Sequence, residues 1–182
     1  MVALTTGFRV PAAVVEVANR LLAALDVDVP ATRSFRADGR LRMRRVEPGG
    51  LLPAVVAAVR EALAHEGSIG VLTADATEES VIAALWDAGL DVAPVRDGRA
   101  GRITVVPASL AKGLEYDHVV LAEPERIAES RPRGLNRLYV CLTRAVSRLD
   151  VLHCRPIPHL EEPDTTPVDA APESPDTTAA RG

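Results

Sequence analysis

The sequence predicts an α/β fold, a mostly parallel sheet with helices on both faces. Two observations carry that expectation. The runs SIGVLTA, DVAPV, ITVVPA and HVVLAEP are apolar almost throughout, without the polar alternation of a half-exposed strand, so they read as strands buried on both faces. Segments with apolar residues at helical spacing stand between and around them, the arrangement of β-α-β units. A chain of 182 residues, 47% hydrophobic, is long enough to build one core of this kind. In open sheets of this class ligands collect at the carboxyl ends of the strands.

Taken in order, Pro11 stands at a first helical position before AAVVEVANRLLAAL, which predicts a helix over about residues 11 to 25. TRSFRADGRLRMRRVE alternates polar and apolar residues around Asp38-Gly39 and predicts a hairpin or two short strands over 32 to 47. LLPAVVAAVREALAHEG reads as a helix closed by Gly67, and TEESVIAALWDAG as a helix with Thr77 as its cap. Trp86, within that second helix, belongs to the core or to the edge of a cleft. GLNRLYVCLTRAVS is the last helix and RLDVLH a final strand. The folded domain is thus expected over residues 1–154. The remaining segment, 155–182, carries six prolines, acids and small residues and reads as a disordered acidic tail.

Composition narrows the function. Aromatics make up 3% of the chain, which supplies few stacking platforms for a single-strand binder. The tail holds six acids against two arginines and accounts for the net charge of −4, leaving the rest near neutral and without the basic footprint of a stand-alone nucleic-acid binder. Cys141 and Cys154 are too few for a disulfide framework, and the four histidines show no metal-ligand spacing. No metal site is therefore expected. With no membrane-length apolar run and no signal-peptide pattern, the expected compartment is the cytoplasm. A G-x-x-x-x-G-K-[ST] phosphate loop is also absent, so the chain by itself has no cradle for β- and γ-phosphates.

Three pieces carry functional signal: Arg9 before a helix start, AKGLE after ITVVPA, and Arg144 in YVCLTRA. Within AKGLE, Lys112 is the one lysine among twenty-one basic residues. The runs TGFRVPAAVVEVANRLL, AKGLEYDHVVL and NRLYVCLTRAVSRLDVL, in this order, resemble the second RecA-like domain of superfamily one helicases of the UvrD/Rep class, over about residues 5 to 153. The resemblance implies a RecA-like fold, ATP as cofactor, and a first RecA-like domain as partner that brings the phosphate loop and Mg. It places Arg9 and Arg144 as cationic clamps on the γ-phosphate, a task that suits the planar guanidinium fork. It also places Glu115 at the ribose hydroxyl and Gly113 where the backbone approaches the nucleotide. Lys112 lies beside that cleft, where supporting the loop, pairing with a carboxylate and touching ligand are all open roles.

Typical members of the family carry a threonine five residues and a histidine three residues before this lysine, both facing single-stranded nucleic acid. Here those positions are Pro107 and Ser109, so one strand contact is removed and the other weakened, and DNA contact is expected to be weak or absent. Retained ATP-side residues with replaced strand contacts look most like the HelD-type proteins, helicase-like ATPases that bind RNA polymerase and free it from stalled complexes. Two other readings stand beside this one: a remnant of a conventional UvrD-type DNA helicase, and a non-catalytic protein-binding module. On the leading reading the isolated chain is inactive and supplies an arginine finger and ribose contacts in trans.

Overall fold

The computed structural model describes residues 6–7, 10–25, 33–34, 39–99, 101–130 and 132–160. Two short strands, β1 (Thr6–Gly7) and β2 (Arg33–Ser34), pair in parallel and flank helix α1 (Ala12–Ala24) in the chain. The main body is a six-stranded sheet in the order β3-β8-β7-β4-β6-β5, with every neighbouring pair parallel. Its strands are β3 (Arg40–Arg45), β4 (Ile69–Thr73), β5 (Val92–Pro94), β6 (Ile103–Pro107), β7 (Tyr116–Ala122) and β8 (Ala145–His153). The intervening helices are α2 (Leu51–Leu63), α3 (Glu78–Asp87), α4 (Pro124–Glu129) and α5 (Gly134–Leu142).

The sheet divides two cores, as the apolar runs require. On one face Val14, Ala18 and Leu21 of α1 and Leu138 and Leu142 of α5 pack on Leu72, Val119, Leu121, Leu149 and Val151. On the other, Val55 and Val59 of α2 and Val81 and Leu85 of α3 pack on Val71, Val105, Val120 and Leu152. Strand side chains alternate between these cores, so covering both faces demands unbroken apolar runs such as Ile69–Thr73, buried at every position.

Several local expectations change. The predicted hairpin does not form: β2 pairs with β1 and β3 pairs with β8, more than a hundred residues away in the chain. The alternation in Arg40–Arg45 is nonetheless real, with Leu41 and Met43 against the α1 core and Arg40, Arg42 and Arg44 at the opposite parity. The last helix stops at Leu142 instead of running to residue 147. There the Thr143 hydroxyl donates to the carbonyls of Tyr139 and Val140, and Arg144 Nε donates to Val140 O at 3.0 Å. Side-chain donors thus satisfy helix-terminal carbonyls and free Ala145 to begin β8. Thr77 precedes α3, but its hydroxyl turns back to Thr73 Oγ1 (2.7 Å) and Ala74 O (3.1 Å) and makes no side-chain cap. Helix α2 ends before Gly67, which at φ +110° faces Asp117.

Packing also outlasts the expected domain end. Ile157 and Leu160 are buried in the α1–α5 core and bridge to each other, so residues 155–160 belong to the packed body; the rest of the predicted tail lies outside the described residues. Trp86, expected in the core or at a cleft edge, is 55% exposed, and its indole N–H donates to Val92 O at 3.3 Å.

Asp117 ties the starts of β4 and β7 together. Its Oδ2 accepts from both the backbone N and the hydroxyl of Ser68 at 2.8 Å. These bonds, the backbone N–H first, hold its pKa below the usual carboxylate value. A depressed carboxylate stabilises the fold above its unfolded pKa of about 3.9, and that contribution is lost as pH falls through the lower folded value. Asp117→Ala is therefore expected to cost about 1–3 kcal/mol at neutral pH. The difference from the unsubstituted chain should shrink in denaturant titrations below about pH 4.

Candidate functional site

Parallel pairing fixes where the motif residues lie. Strand β6 ends at Pro107 and β7 begins at Tyr116, and both run in the same direction through their common neighbour β4. The connector 108–115 must therefore travel from the carboxyl edge of the sheet back to the amino edge. It starts with a 3-10 turn over Ala108–Leu110 and buries Ala108 and Ala111 in the α1–α5 core on the way. Lys112 and Gly113 form an exposed turn, with Gly113 at φ +83°. Glycine meets that conformation without strain.

Glu115 and Arg144 emerge at the amino edge, each just before the first residue of a strand, β7 and β8 respectively. This differs from the carboxyl-edge location expected for ligands in such sheets. The two motif runs are bound to each other there. Arg144 Nη1 donates to Leu114 O at 2.9 Å, and Tyr116 N donates to Arg144 O at 3.0 Å. With Nε on Val140 O and Nη2 on Thr143 Oγ1 (3.3 Å), Arg144 uses three of its five N–H donors on the protein and keeps two. Glu115 and Lys112 are exposed, and no carboxylate among the described residues pairs with Lys112.

The start of α1 reaches the same edge. Gly39, at φ +146°, sits so close to Pro11 and the Ser147 carbonyl that a Cβ there would overlap the proline ring. The segment before α1 thus arrives beside the start of β8, although Arg9 itself lies outside the described residues. The structure therefore brings Glu115, Arg144 and the approach to α1 to one edge.

Ser109 lies at the other edge, exposed, its backbone N donating to Asp75 Oδ1 at 3.1 Å. Nearby opens a cavity of about 560 Å³ between the ends of β4 and β6 and helices α4 and α5. Its charged lining is Asp75, Arg126, Glu129, Arg137 and Arg155. Arg155 pairs bidentately with Glu129 (2.7 and 2.8 Å), and Arg126 with Glu123 (2.8 Å). This cavity was not legible in the sequence, because α4 falls almost wholly past the strand read over HVVLAEP, in a stretch assigned no element. Below it the buried Glu125 carboxylate accepts from the backbone N–H groups of Cys154 and Arg155, at 2.9 and 3.2 Å, and locks α4 to the end of β8.

Residues 103–151 match the UvrD-like helicase C-terminal domain family. The helicase-like segment begins at the first residue of β6 and ends within β8, so it contains the whole connector, Glu115 and Arg144. The fold extends further than that segment. The chain superposes on the C-terminal domain of a possible DNA helicase from Lactobacillus plantarum WCFS1 with a TM-score of 0.63, over 85% of this chain and 92% of that one, at 20% identity. That likeness is one of fold. An arterivirus nonstructural protein 10 helicase in complex with DNA aligns over 63% of this chain and 28% of its own, with a TM-score of 0.47 and 20% identity. Among curated proteins none matches this chain.

The two thiols differ in reach. Cys141, on the inner side of α5, is fully buried, and burial pushes its thiol up to about 12. Cys154 is half-buried and raised more modestly, by burial first and then by the Glu125 and Glu123 carboxylates. A thiol-disulfide reagent is thus expected to modify Cys154 slowly in the native protein and Cys141 only after unfolding, which counting labelled thiols with and without denaturant checks.

Proposed function

We propose that this chain is the second motor domain of a helicase-like ATPase, with its amino edge turned toward ATP held by a first RecA-like domain. The observation that carries the reading is the joining of the two motif runs through Arg144, whose side chain and main chain together fix Leu114 and Tyr116 on either side of Glu115. The donor set fits a nucleotide: two spare guanidinium N–H groups and the Lys112 ammonium for phosphate oxygens, and the exposed Glu115 carboxylate for a ribose hydroxyl. ATP, when bound, supplies the phosphoanhydride that is hydrolysed. This chain's residues orient it and stabilise charge at the transferred group, Arg144 through its free N–H groups and Arg9 from the approach to α1. Gly113, at positive φ in an exposed turn, leaves the backbone accessible beside them.

Within that class a HelD-type enzyme acting on RNA polymerase is favoured over a conventional unwinding enzyme. The support is that Pro107 offers no donor at the carboxyl edge and that Ser109 spends its backbone N–H on Asp75. The deciding test is ATP turnover of this chain alone and of the protein that joins it to a phosphate-loop domain, with DNA and with RNA polymerase as separate additions. Inactivity alone, with turnover in the joined protein that polymerase stimulates and DNA does not, is the expected result. Turnover by the isolated chain would overturn the reading.

A further inference from the structure

A second basic site lies on the α2 face of the sheet. Strand register places Arg40 of β3 directly opposite Arg148 of β8, and Arg148 directly opposite His118 of β7. Paired residues on neighbouring parallel strands point to the same face, so three basic side chains stand side by side in one row across three strands. The row depends on an irregularity: between the pairs Tyr116↔Ala145 and His118↔Arg148 the β8 strand carries one extra residue, a bulge that sets Arg148 and not Ser147 across from His118. His65, just past α2, lies over His118 with ring centroids 5.7 Å apart. All four line a cavity of about 240 Å³.

The two acids that line it, Glu61 and Asp150, are already paired with an arginine. Arg42, two residues further along β3 on the same face, binds both Asp150 and Glu61. Asp117 is held by Ser68, and His118 Nε2 donates to the Glu66 backbone carbonyl at 2.8 Å. Neither Arg40 nor Arg148 has a carboxylate partner among the described residues. Like charges placed directly opposite one another destabilise a sheet. The pKa of His65 is lowered, by burial first and then by Arg148, His118 and Arg40, so the cations are felt at the cavity.

We infer that the Arg40–Arg148–His118 row, with His65 above it, is a binding site for a phosphate-type oxyanion. The anion relieves the repulsion between the two arginines and accepts their N–H donors. The site is independent of the proposed nucleotide contacts of Arg144 and Glu115.

Thermal unfolding of this chain tests the inference, with sodium chloride at matched ionic strength as the reference. Sulfate keeps its charge between about pH 5.5 and 7.5, and the His65 imidazole, whose pKa burial and the neighbouring cations lower, gains positive charge toward the acid end of that window. It is expected to raise the midpoint by about 5 °C at ~100 times its Kd, and more strongly at the lower pH. Arg148→Gln should remove that response while leaving the midpoint without anion equal or higher, and Arg40→Gln should do the same. Arg144→Ala should keep the response, which separates this site from the nucleotide reading. Inorganic phosphate and ATP form two further arms: equal responses identify a free anion as the ligand, and a larger one with ATP identifies a nucleotide phosphate. A sulfate response no greater than that to chloride, or one that survives both arginine substitutions, overturns the inference.

Discussion

Arg144→Ala should lower ATP turnover of the joined two-domain protein by about a thousandfold or more, the size of effect seen when an arginine finger is lost. The same substitution has a structural component, because it strips donors from the Val140 and Leu114 carbonyls, and that part should cost the isolated chain about 1–3 kcal/mol. The two are separable. Unfolding of the isolated domain reads the structural loss, and turnover is compared at a temperature where both proteins remain folded. Arg144→Lys sharpens the comparison, since an ammonium keeps the charge but cannot reach two carbonyls and a phosphate oxygen through one planar fork. Turnover of the lysine variant close to that of alanine is the expected outcome. Turnover within a few-fold of the unsubstituted protein would assign Arg144 a purely structural role.

The second large effect is expected at Gly70, in the middle of β4. A Cβ on this residue would overlap the ring of Tyr116, which crosses β4 at this point. The Tyr116 hydroxyl reaches the Thr104 side chain on β6, the residue paired with Gly70. One aromatic side chain thus spans three strands, and it fits only because the central one carries glycine. Gly70→Val should cost about 3 kcal/mol or more, by overpacking a site with covered faces and no room to yield. Because Tyr116 follows Glu115 directly, displacing its ring is also expected to move the carboxylate of the proposed nucleotide site. Chemical denaturation of Gly70→Val and Gly70→Ala checks the cost; a loss below about 1 kcal/mol in both would mean that the ring has another place to go.

Much of this was readable from composition and spacing. β4, β6 and β7 announced themselves as unbroken apolar runs, and α1, α2 and α3 as helical repeats, because burial on both sheet faces leaves a local signature. Pairing across long stretches leaves none. Nothing near Arg40–Arg45 indicates that its partner is Ala145–His153, so local alternation suggested a hairpin that the sheet does not contain. The motif residues followed the same division. Their types and order were legible, but their edge was not, since it depends on the direction in which the connector 108–115 crosses the sheet. His65 and His118 looked scattered for a similar reason: α2 and β7 bring together residues that no spacing rule relates. Glu125 and Tyr116 were missed because their significance lies in what they touch.

The strand order also governs how the molecule is made. β3 is the first strand of the large sheet to leave the ribosome, and β8, the strand it pairs with, is the last. At ~5–20 residues per second, the arginine-bearing strand waits about 5–20 s for its neighbour. Chains released before Ala145 lack both the β3 and the β7 ladders of β8, so this late strand acts as the keystone of half the sheet. Such non-local closure predicts slow folding for a domain of this size and makes nascent chains, rather than finished ones, the species most exposed to misassembly.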